Sequence, residues 1–329
     1  MNVPKLLLPN EYVEIATQRI TKAKHHISFV SMIVADDNRT DELIDALIAA
    51  AERGIRVEVA ADTFTFGEFG GHLKPLKYYS EQSRRVSKMA KELTTAGAKF
   101  TWVGKYSAAP FSGRNHMKCL VVDDIVYSFG GVNMDSASFI NTDYMFEVKD
   151  EQLALELRDD IARIVEADGK NFAYRSHEFS FGTQSKILID GGLQADSIIY
   201  RRACQLAKEA DEILFVSQYC PTNKLSRIMK RKKTRLYFNS PKRANNKFNA
   251  ALIGINMFFS GNKSLYTKKT YLHAKFTIFT MPDGKKIALT GSHNFTYVGV
   301  LFGTREIALQ TEDLKIIKQL ESFFEKHVK

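Results

Sequence analysis

The feature that most constrains this 329-residue chain is that it repeats itself. Ile20-Thr-Lys-Ala-Lys-His-His-Ile-Ser-Phe-Val-Ser31 aligns with Leu206-Ala-Lys-Glu-Ala-Asp-Glu-Ile-Leu-Phe-Val-Ser217 at an offset of 186, each a helix end leading into a buried strand. Asn115-His116-Met-Lys118 aligns with Leu272-His273-Ala-Lys275 at an offset of 157, and at the same offset Gly97 and Gly104, in the stretch Leu93 to Gly104, align with Gly254 and Gly261. Self-similarity of this kind precedes any other reading of a fold, because it fixes how many units there are to explain. The change of offset places about 29 extra residues in the first half, most of them between Thr63 and Ser87.

Each copy reads as helix, strand, helix, strand and then a long β-hairpin. Glu42-Leu-Ile-Asp-Ala-Leu-Ile-Ala-Ala-Ala-Glu has helical spacing and stops at Gly54, after which Ile55-Arg-Val-Glu-Val-Ala alternates as a strand does. The hairpins turn at Asp123-Asp124 and at Pro282-Asp283-Gly284. Glu151 to Val165 reads as a helix ending at Asp168-Gly169, and the apolar pattern thins from 167 to 185. The expected fold is therefore α/β: two tandem, similar α-β-α lobes, 1–168 and 169–329, each a mixed β-sheet flanked by helices. The first lobe carries an insertion at about 63–87. The Phe248 to Asn262 stretch, uncharged throughout, is expected to be a buried helix end and strand by its alignment with the Gly97 region.

The repeat carries chemistry. The first copy reads His116-x-Lys118, Asp123, then Gly130-Gly131-Val132-Asn133; the second reads His273-x-Lys275, then Gly291-Ser292-His293-Asn294. Alternation puts His and Lys on one face of a strand, two residues apart, and the returning strand brings Asn beside them. Lys and Asn supply the cation and amide donors that the non-bridging oxygens of a phosphodiester require. Two imidazoles can then divide attack on phosphorus and protonation of the leaving oxygen. A single His-x-Lys would be an ordinary surface pair; two, in register with a repeat and each followed by a Gly-rich turn and Asn, are not.

These motifs resemble those of the phospholipase D superfamily, His-x-Lys-x4-Asp-x6-Gly-Ser/Gly-x-Asn. The first copy fits throughout. In the second, Thr280 stands where Asp is expected, and Asp283 lies three positions late. The resemblance implies a pseudo-twofold molecule with its active site between the lobes, His116 as nucleophile forming a phosphohistidine, and His273 as general acid and base. Lys118, Lys275, Asn133, Asn294 and Ser292 would bind substrate, while Asp123, Gly130, Gly131 and Gly291 would shape the motif. By the same resemblance Asp143 and Glu306, one following each motif, orient the histidines; one dimension does not say which serves which. No metal and no cofactor are implied. The Gly-Gly-x-Asn ending, Leu93-Thr-Thr-Ala-Gly97-Ala-Lys-Phe, Thr142-Asp143-Tyr144, Ile187-Leu-Ile-Asp-Gly-Gly and Val216-Ser-Gln-Tyr219-Cys-Pro221 look like the bacterial cardiolipin synthase branch, which implies phosphatidyl transfer or hydrolysis on phospholipids. A nuclease acting on DNA or RNA is the alternative within the superfamily, and a phosphate-binding module with decayed motifs is disfavoured because both His-x-Lys pairs and both Asn are present.

Charge bears on the partner. The formal net charge is +10, yet Ile213 to Pro282 holds 14 Lys and Arg and no Asp or Glu, so the rest of the chain sums to −4. This 213–282 segment runs into His273 and Lys275 and is expected to form a local field beside a phosphate site. The partner class is an anionic phospholipid or membrane surface, met peripherally, with nucleic acid as the alternative; Tyr219, Tyr237 and Phe238 could then stack bases. Thr63 to Tyr79, rich in Phe, Tyr, Leu, Lys and Gly, and Lys105 to Phe111 suit either an interfacial lid or a packed loop. Cys119, Cys204 and Cys220 are too scattered for a disulfide framework or zinc cluster and read as reduced thiols. With no signal h-region and no window approaching a membrane span, the expectation is a cytoplasmic protein. Because duplication already supplies both motifs within one chain, a monomer is expected. His25, His26, His72, His177 and His327 read as surface residues, and His293 as either a substrate contact or a turn filler.

Overall fold

A computed structural model describes residues 3–66, 81–104, 113–170, 172–244 and 247–329, the side chain of Phe248 excepted. Most of the insertion and the Lys105 to Phe111 stretch, both candidates for an interfacial lid, lie outside the described residues. The chain separates into two compact units. Unit 1 comprises Met1–Ser128, Val132–Phe139 and Met145–Tyr174; unit 2 comprises Phe129–Gly131, Ile140–Tyr144 and Arg175–Lys329.

Unit 1 runs β1 (Lys5–Leu7), α1 (Pro9–Thr21), β2 (His26–Ser31), α2 (Asp41–Glu52), β3 (Arg56–Asp62), α3 (Glu81–Thr95), β4 (Lys99–Val103), β5 (Cys119–Val122), β6 (Ile125–Ser128), β7 (Met145–Lys149) and α4 (Glu151–Gly169). The seven strands order as β1-β7-β6-β5-β2-β3-β4. Strands β2, β3 and β4 are parallel and the remaining pairs antiparallel. Every residue of β2 is buried, as expected of a central strand covered on both faces. Helix α2 opens on Asp41 and Glu42, where carboxylates favour the helix N-terminus, and buries Leu43, Ile44, Leu47 and Ala50. Gly54, at φ +84°, ends it.

Unit 2 runs β8 (His177–Phe181), β9 (Ser185–Gly191), α5 (Ile198–Glu209), β10 (Glu212–Val216), α6 (Asn223–Met229), β11 (Lys233–Tyr237), α7 (Lys247–Ser260), β12 (Phe276–Thr280), β13 (Lys286–Gly291), α8 (Tyr297–Phe302), β14 (Arg305–Thr311) and α9 (Leu314–Phe323). Its order is β11-β10-β12-β13-β14-β9-β8. Laid against unit 1, β10, β11, β12, β13, β14 and β9 repeat β2, β3, β5, β6, β7 and β1. Unit 1 adds β4 at one edge, and unit 2 adds β8 at the other. Both are mixed sheets flanked by helices.

Two expectations fail in unit 2. Phe248 to Asn262 is neither a buried helix end nor a strand, because α7 continues to Ser260 and no described strand repeats β4. The misreading lies in the glycines. Gly97 takes φ +99° and terminates α3, whereas Gly254 stays inside α7; the glycine that ends α7 is Gly261, at φ +62°. The basic segment is also distributed differently from the expected field. Lys233 lies opposite Glu212 at the start of β10, and Phe276 opposite Val216 at its end. His273 and Lys275 precede Phe276, so Lys230 to Lys233 enter the sheet four strand steps away, about 13 Å. There Lys233 pairs with Glu212 at 2.5 Å, and Lys208, Lys224, Arg227, Arg231 and Lys232 line a cleft of about 440 Å³.

Candidate active site

In unit 1 the His116-x-Lys118 segment leads into β5. His116, Lys118 and Asn133 are all buried. Lys118 Nζ donates to the carbonyl of His116 at 2.7 Å, which folds the long side chain back along its own strand. Ser128 Oγ on β6 donates to the carbonyl of Lys118 at 2.8 Å. At the hairpin turn Asp123 takes φ +51°, and its carboxylate accepts the backbone N–H groups of Lys24, His25 and His26, each at 2.9 Å. Burial works against its charge, but the three donors outweigh burial and hold the carboxyl below its usual range. Asp123 thus ties the hairpin to the start of β2. His26 is not a surface residue: it is buried, with Nε2 2.6 Å from Ser28 Oγ.

Unit 2 repeats the arrangement. His273 and Lys275 are buried, and Lys275 Nζ donates to the carbonyl of His273 at 2.5 Å. Burial lowers the Lys275 pKa to about 8, against the pull of Asp143 and Glu306. His273 Nδ1 lies 2.7 Å from Asp143 Oδ2. An ionised carboxylate only accepts, so Nδ1 carries the proton and Nε2 is the other titrating nitrogen. Asp143 is itself fixed, because its Oδ1 accepts from Gly131 N at 3.2 Å and from Tyr144 N at 2.8 Å. Gly131 is required there: a Cβ would stand 2.7 Å from Asp143 Oδ2 and 2.9 Å from Lys275 Nζ. The carboxylate that serves His273 is therefore Asp143, from the 140–144 segment that belongs to unit 2, alongside which His273 N and Ala274 N donate to Thr142 O at 3.0 and 2.9 Å.

Glu306 is buried on β14 and accepts from Ser292 Oγ. Ser292 also accepts Ile307 N at 3.1 Å, so its hydroxyl serves the motif's own frame, whereas substrate binding was expected of it. Asn133 Oδ1 and Asn294 Oδ1, one in each motif, are both buried without a hydrogen-bond partner among the described residues. Such an atom costs about 1–3 kcal/mol unless something completes it. His293 is a turn residue: Nδ1 accepts Phe295 N at 2.8 Å, and burial lowers its pKa. Asp283 accepts Lys285 N within its own turn at 2.9 Å, while the carbonyl of Thr280 accepts Asp211 N.

Three features escaped the sequence reading. Asp62, at the end of β3, accepts the N–H of Asn115 at 2.8 Å. Asn239, just beyond β11, accepts the N–H of Leu272 at 2.9 Å and donates to its carbonyl at 2.7 Å. Each clasps the residue immediately before the motif histidine. Asp62 is buried against Arg114, and burial raises its pKa in spite of that cation; Asn239 is neutral. The third is Asp190, directly opposite Glu306 on paired strands. Burial chiefly, with Glu306 adding, raises it to about 7 although Ser197 donates to it. The repeat itself could have signalled the clasp, since Asp62 ends the second strand of its copy and Asn239 lies two residues beyond that of the other. No group of three or more His, Cys, Asp or Glu among the described residues is placed to hold a metal ion.

The fold and the paired motifs resemble those of the phospholipase D superfamily. Within it, residues 16–165 match the family model described as "Cardiolipin synthase, PLD-like domain". The whole chain is similar to the crystal structure of phosphatidylserine synthase from Haemophilus influenzae Rd KW20, with 14% identity and a TM-score of 0.70 over 99% of this chain and 87% of that one. It is also similar to polyphosphate kinase from Porphyromonas gingivalis, with 13% identity and a TM-score of 0.60 over 97% of this chain and 49% of that one. At these identities the likeness is one of fold. No curated protein matches the sequence.

Proposed function

We propose that the chain is a phosphatidyltransferase or phospholipase D-type phosphodiesterase acting on phospholipids. The observation that carries this reading is the duplicated site: buried His-x-Lys pairs in which lysine returns to the histidine carbonyl in both units, with Asp143 holding His273. The family model over residues 16–165 supports the lipid class.

In this reading both histidines act on one phosphorus. A ring nitrogen of His116 attacks it, the P–O bond to the leaving alcohol breaks, and protonated His273 delivers its Nε2 proton to the departing alkoxide. Asp143 stabilises the His273 imidazolium beforehand and keeps the ring oriented. Water or an acceptor alcohol then gives its proton to His273 and attacks the phosphohistidine, breaking the P–N bond. Lys118 and Lys275 neutralise charge on the non-bridging oxygens, and Asn133 and Asn294 supply amide donors. No step calls on a metal. Purified protein incubated with phosphatidylglycerol vesicles in EDTA is expected to yield cardiolipin or phosphatidic acid. Cleaved single-stranded DNA or RNA beside untouched lipid would overturn the reading in favour of a nuclease, and loss of turnover in EDTA would overturn the metal-free mechanism.

A further inference from the structure

Helix α7 is built inside out. Its inward face carries Asn249, Ile253, Asn256 and Ser260, all buried. Ile255, Phe258 and Phe259, at i, i+3 and i+4, share another face and are 53%, 82% and 82% exposed. The two phenyl rings stand edge to face at 5.5 Å, and exposed Leu265 follows in the next turn of chain. A helix on a water-facing surface shows the opposite arrangement. Scattered exposed apolar residues need no explanation, but adjacent phenylalanines on a helix whose polar residues are buried do.

The surroundings indicate what covers them. Lys230 Nζ lies 3.4 Å from where a Cβ on Gly261 would stand, and exposed Lys263 follows two residues on. No carboxylate occurs anywhere from Ile213 to Pro282. The part of the rim that this segment supplies is thus cationic. A second copy of the chain would set lysine against lysine. A bilayer with anionic headgroups answers both halves of the surface, its acyl boundary taking the rings and its phosphates the ammonium groups. We propose that the tip of α7, Ile255, Phe258 and Phe259 with Lys230 and Lys263, docks the protein on an anionic phospholipid surface. This deepens the phospholipid reading above and rests on it for its biological sense. The other end of the same helix reaches the candidate site: Asn249 Nδ2 donates to Tyr271 OH at 2.5 Å, and the Tyr271 ring stacks on His273 with centroids 6.5 Å apart. From Asn249 to Phe258 the helix rises about 14 Å, less than one leaflet of about 20 Å. No helix among the described residues is long and apolar enough to cross a membrane, so the contact proposed is one of surface insertion.

The test is co-sedimentation of the full chain with phosphatidylglycerol–phosphatidylcholine vesicles. The wild-type protein is expected to bind, and Phe258→Ser/Phe259→Ser to partition about tenfold less or weaker still. Lys230→Glu/Lys263→Glu should lose the preference for phosphatidylglycerol over pure phosphatidylcholine, together with its salt dependence. Both double variants should keep the wild-type thermal transition and the wild-type turnover of bis(p-nitrophenyl) phosphate, a soluble diester that needs no surface. Equal vesicle binding by wild-type and the Phe double variant would overturn the proposal. So would a lipid-free dimer that the Phe substitutions dissociate, or loss of DNA binding with vesicle binding intact. Diester turnover without vesicle binding removes the docking surface and leaves the chemistry. Vesicle binding that depends on Phe258 and Phe259, without turnover of any diester, supports the docking and removes the enzymatic reading.

Discussion

The two units keep the same six-strand frame and the same treatment of the motif but differ in how they hold it. In both, lysine folds back on the histidine carbonyl, a side chain at the end of the second strand from the motif strand clasps the residue before histidine, and the motif asparagine keeps a buried oxygen without a partner among the described residues. The clasp is ionic in unit 1, Asp62 with Arg114, and a neutral amide in unit 2, Asn239. The hairpin of unit 1 is tied to β2 by the Asp123 carboxylate, whereas in unit 2 Thr280 stands in that place and its carbonyl accepts Asp211 N. What duplicates is the placement of His and Lys; what varies is the scaffolding that achieves it. Residues whose chemistry matters should then tolerate exchange poorly in either unit, and scaffolding residues should show effects peculiar to their own unit.

The largest effects belong to the histidines. His116→Ala and His273→Ala are each expected to reduce turnover by about 10⁴-fold or more with the thermal transition preserved. A variant that keeps substantial activity would break the equivalence of the two motifs. Asp143→Asn should cost about 10²-fold in kcat, because it removes the partner of an imidazolium while leaving His273 present. The matched comparison is Glu306→Gln; similar losses from both would assign the two carboxylates one role in two places. Rate against pH distinguishes an orienting role from a purely structural one, since only the former moves the profile.

Lys275 makes the comparison dependent on pH. Its pKa is lowered to about 8, so the ammonium is present below that pH and lost above it. If it neutralises substrate phosphate, kcat/KM should fall through pH about 8, by about tenfold per pH unit once the proton is gone. Burying that ammonium also opposes folding. The unfolded chain holds the proton up to the ordinary lysine value, so this contribution to stability rises with pH between the two values. A kcat/KM that stays flat through this range would show that Lys275 does not serve the substrate.

The sequence disclosed the repeat and the motifs because both are local. His-x-Lys reads from strand alternation alone, and the helices and strands of each copy read from periodicity and from glycines such as Gly54. The remainder required contacts distant in sequence. Asp143 meets His273 across 130 residues, Asp62 meets Asn115 across 53, and Asn239 meets Leu272 across 33. The α7 error arose because a glycine in sequence does not announce its φ: Gly97 breaks a helix and Gly254 does not. The basic segment misled for another reason. Its linear continuity with His273 ignores that Lys230 to Lys233 enter the sheet at the start of β11, opposite Glu212 at the start of β10, whereas Phe276 lies opposite Val216 at its end.

Smaller effects fall on the clasps. Asp62→Ala leaves Arg114 without its carboxylate and is expected to destabilise by about 3 kcal/mol. Asn239→Ala strips partners from the Leu272 N–H and carbonyl and should cost about 2 kcal/mol. Thermal unfolding checks both. Asp62→Asn sharpens the comparison, because it gives unit 1 the neutral clasp of unit 2 while leaving the guanidinium of Arg114 buried. A loss close to that of Asp62→Ala would show that the ion pair sets the stability of this segment; recovery to wild-type would show that an acceptor for Asn115 N–H is sufficient.

The smallest expected difference separates the two hairpin turns. Asp123 accepts three backbone donors that belong to the start of β2, whereas Asp283 accepts one within its own turn. Asp123→Ala should therefore lower stability by about 1–2 kcal/mol and Asp283→Ala by about 0.5 kcal/mol or less. The carboxyl of Asp123 is held below its usual range, so its contribution is present above the ordinary aspartate pKa and fades as pH falls through the lowered one. The gap between the two variants should accordingly narrow in acid. Equal losses from the two at neutral pH would mean that the family's hairpin aspartate is a turn residue in both units, and that the tie to β2 adds nothing to the placement of His116.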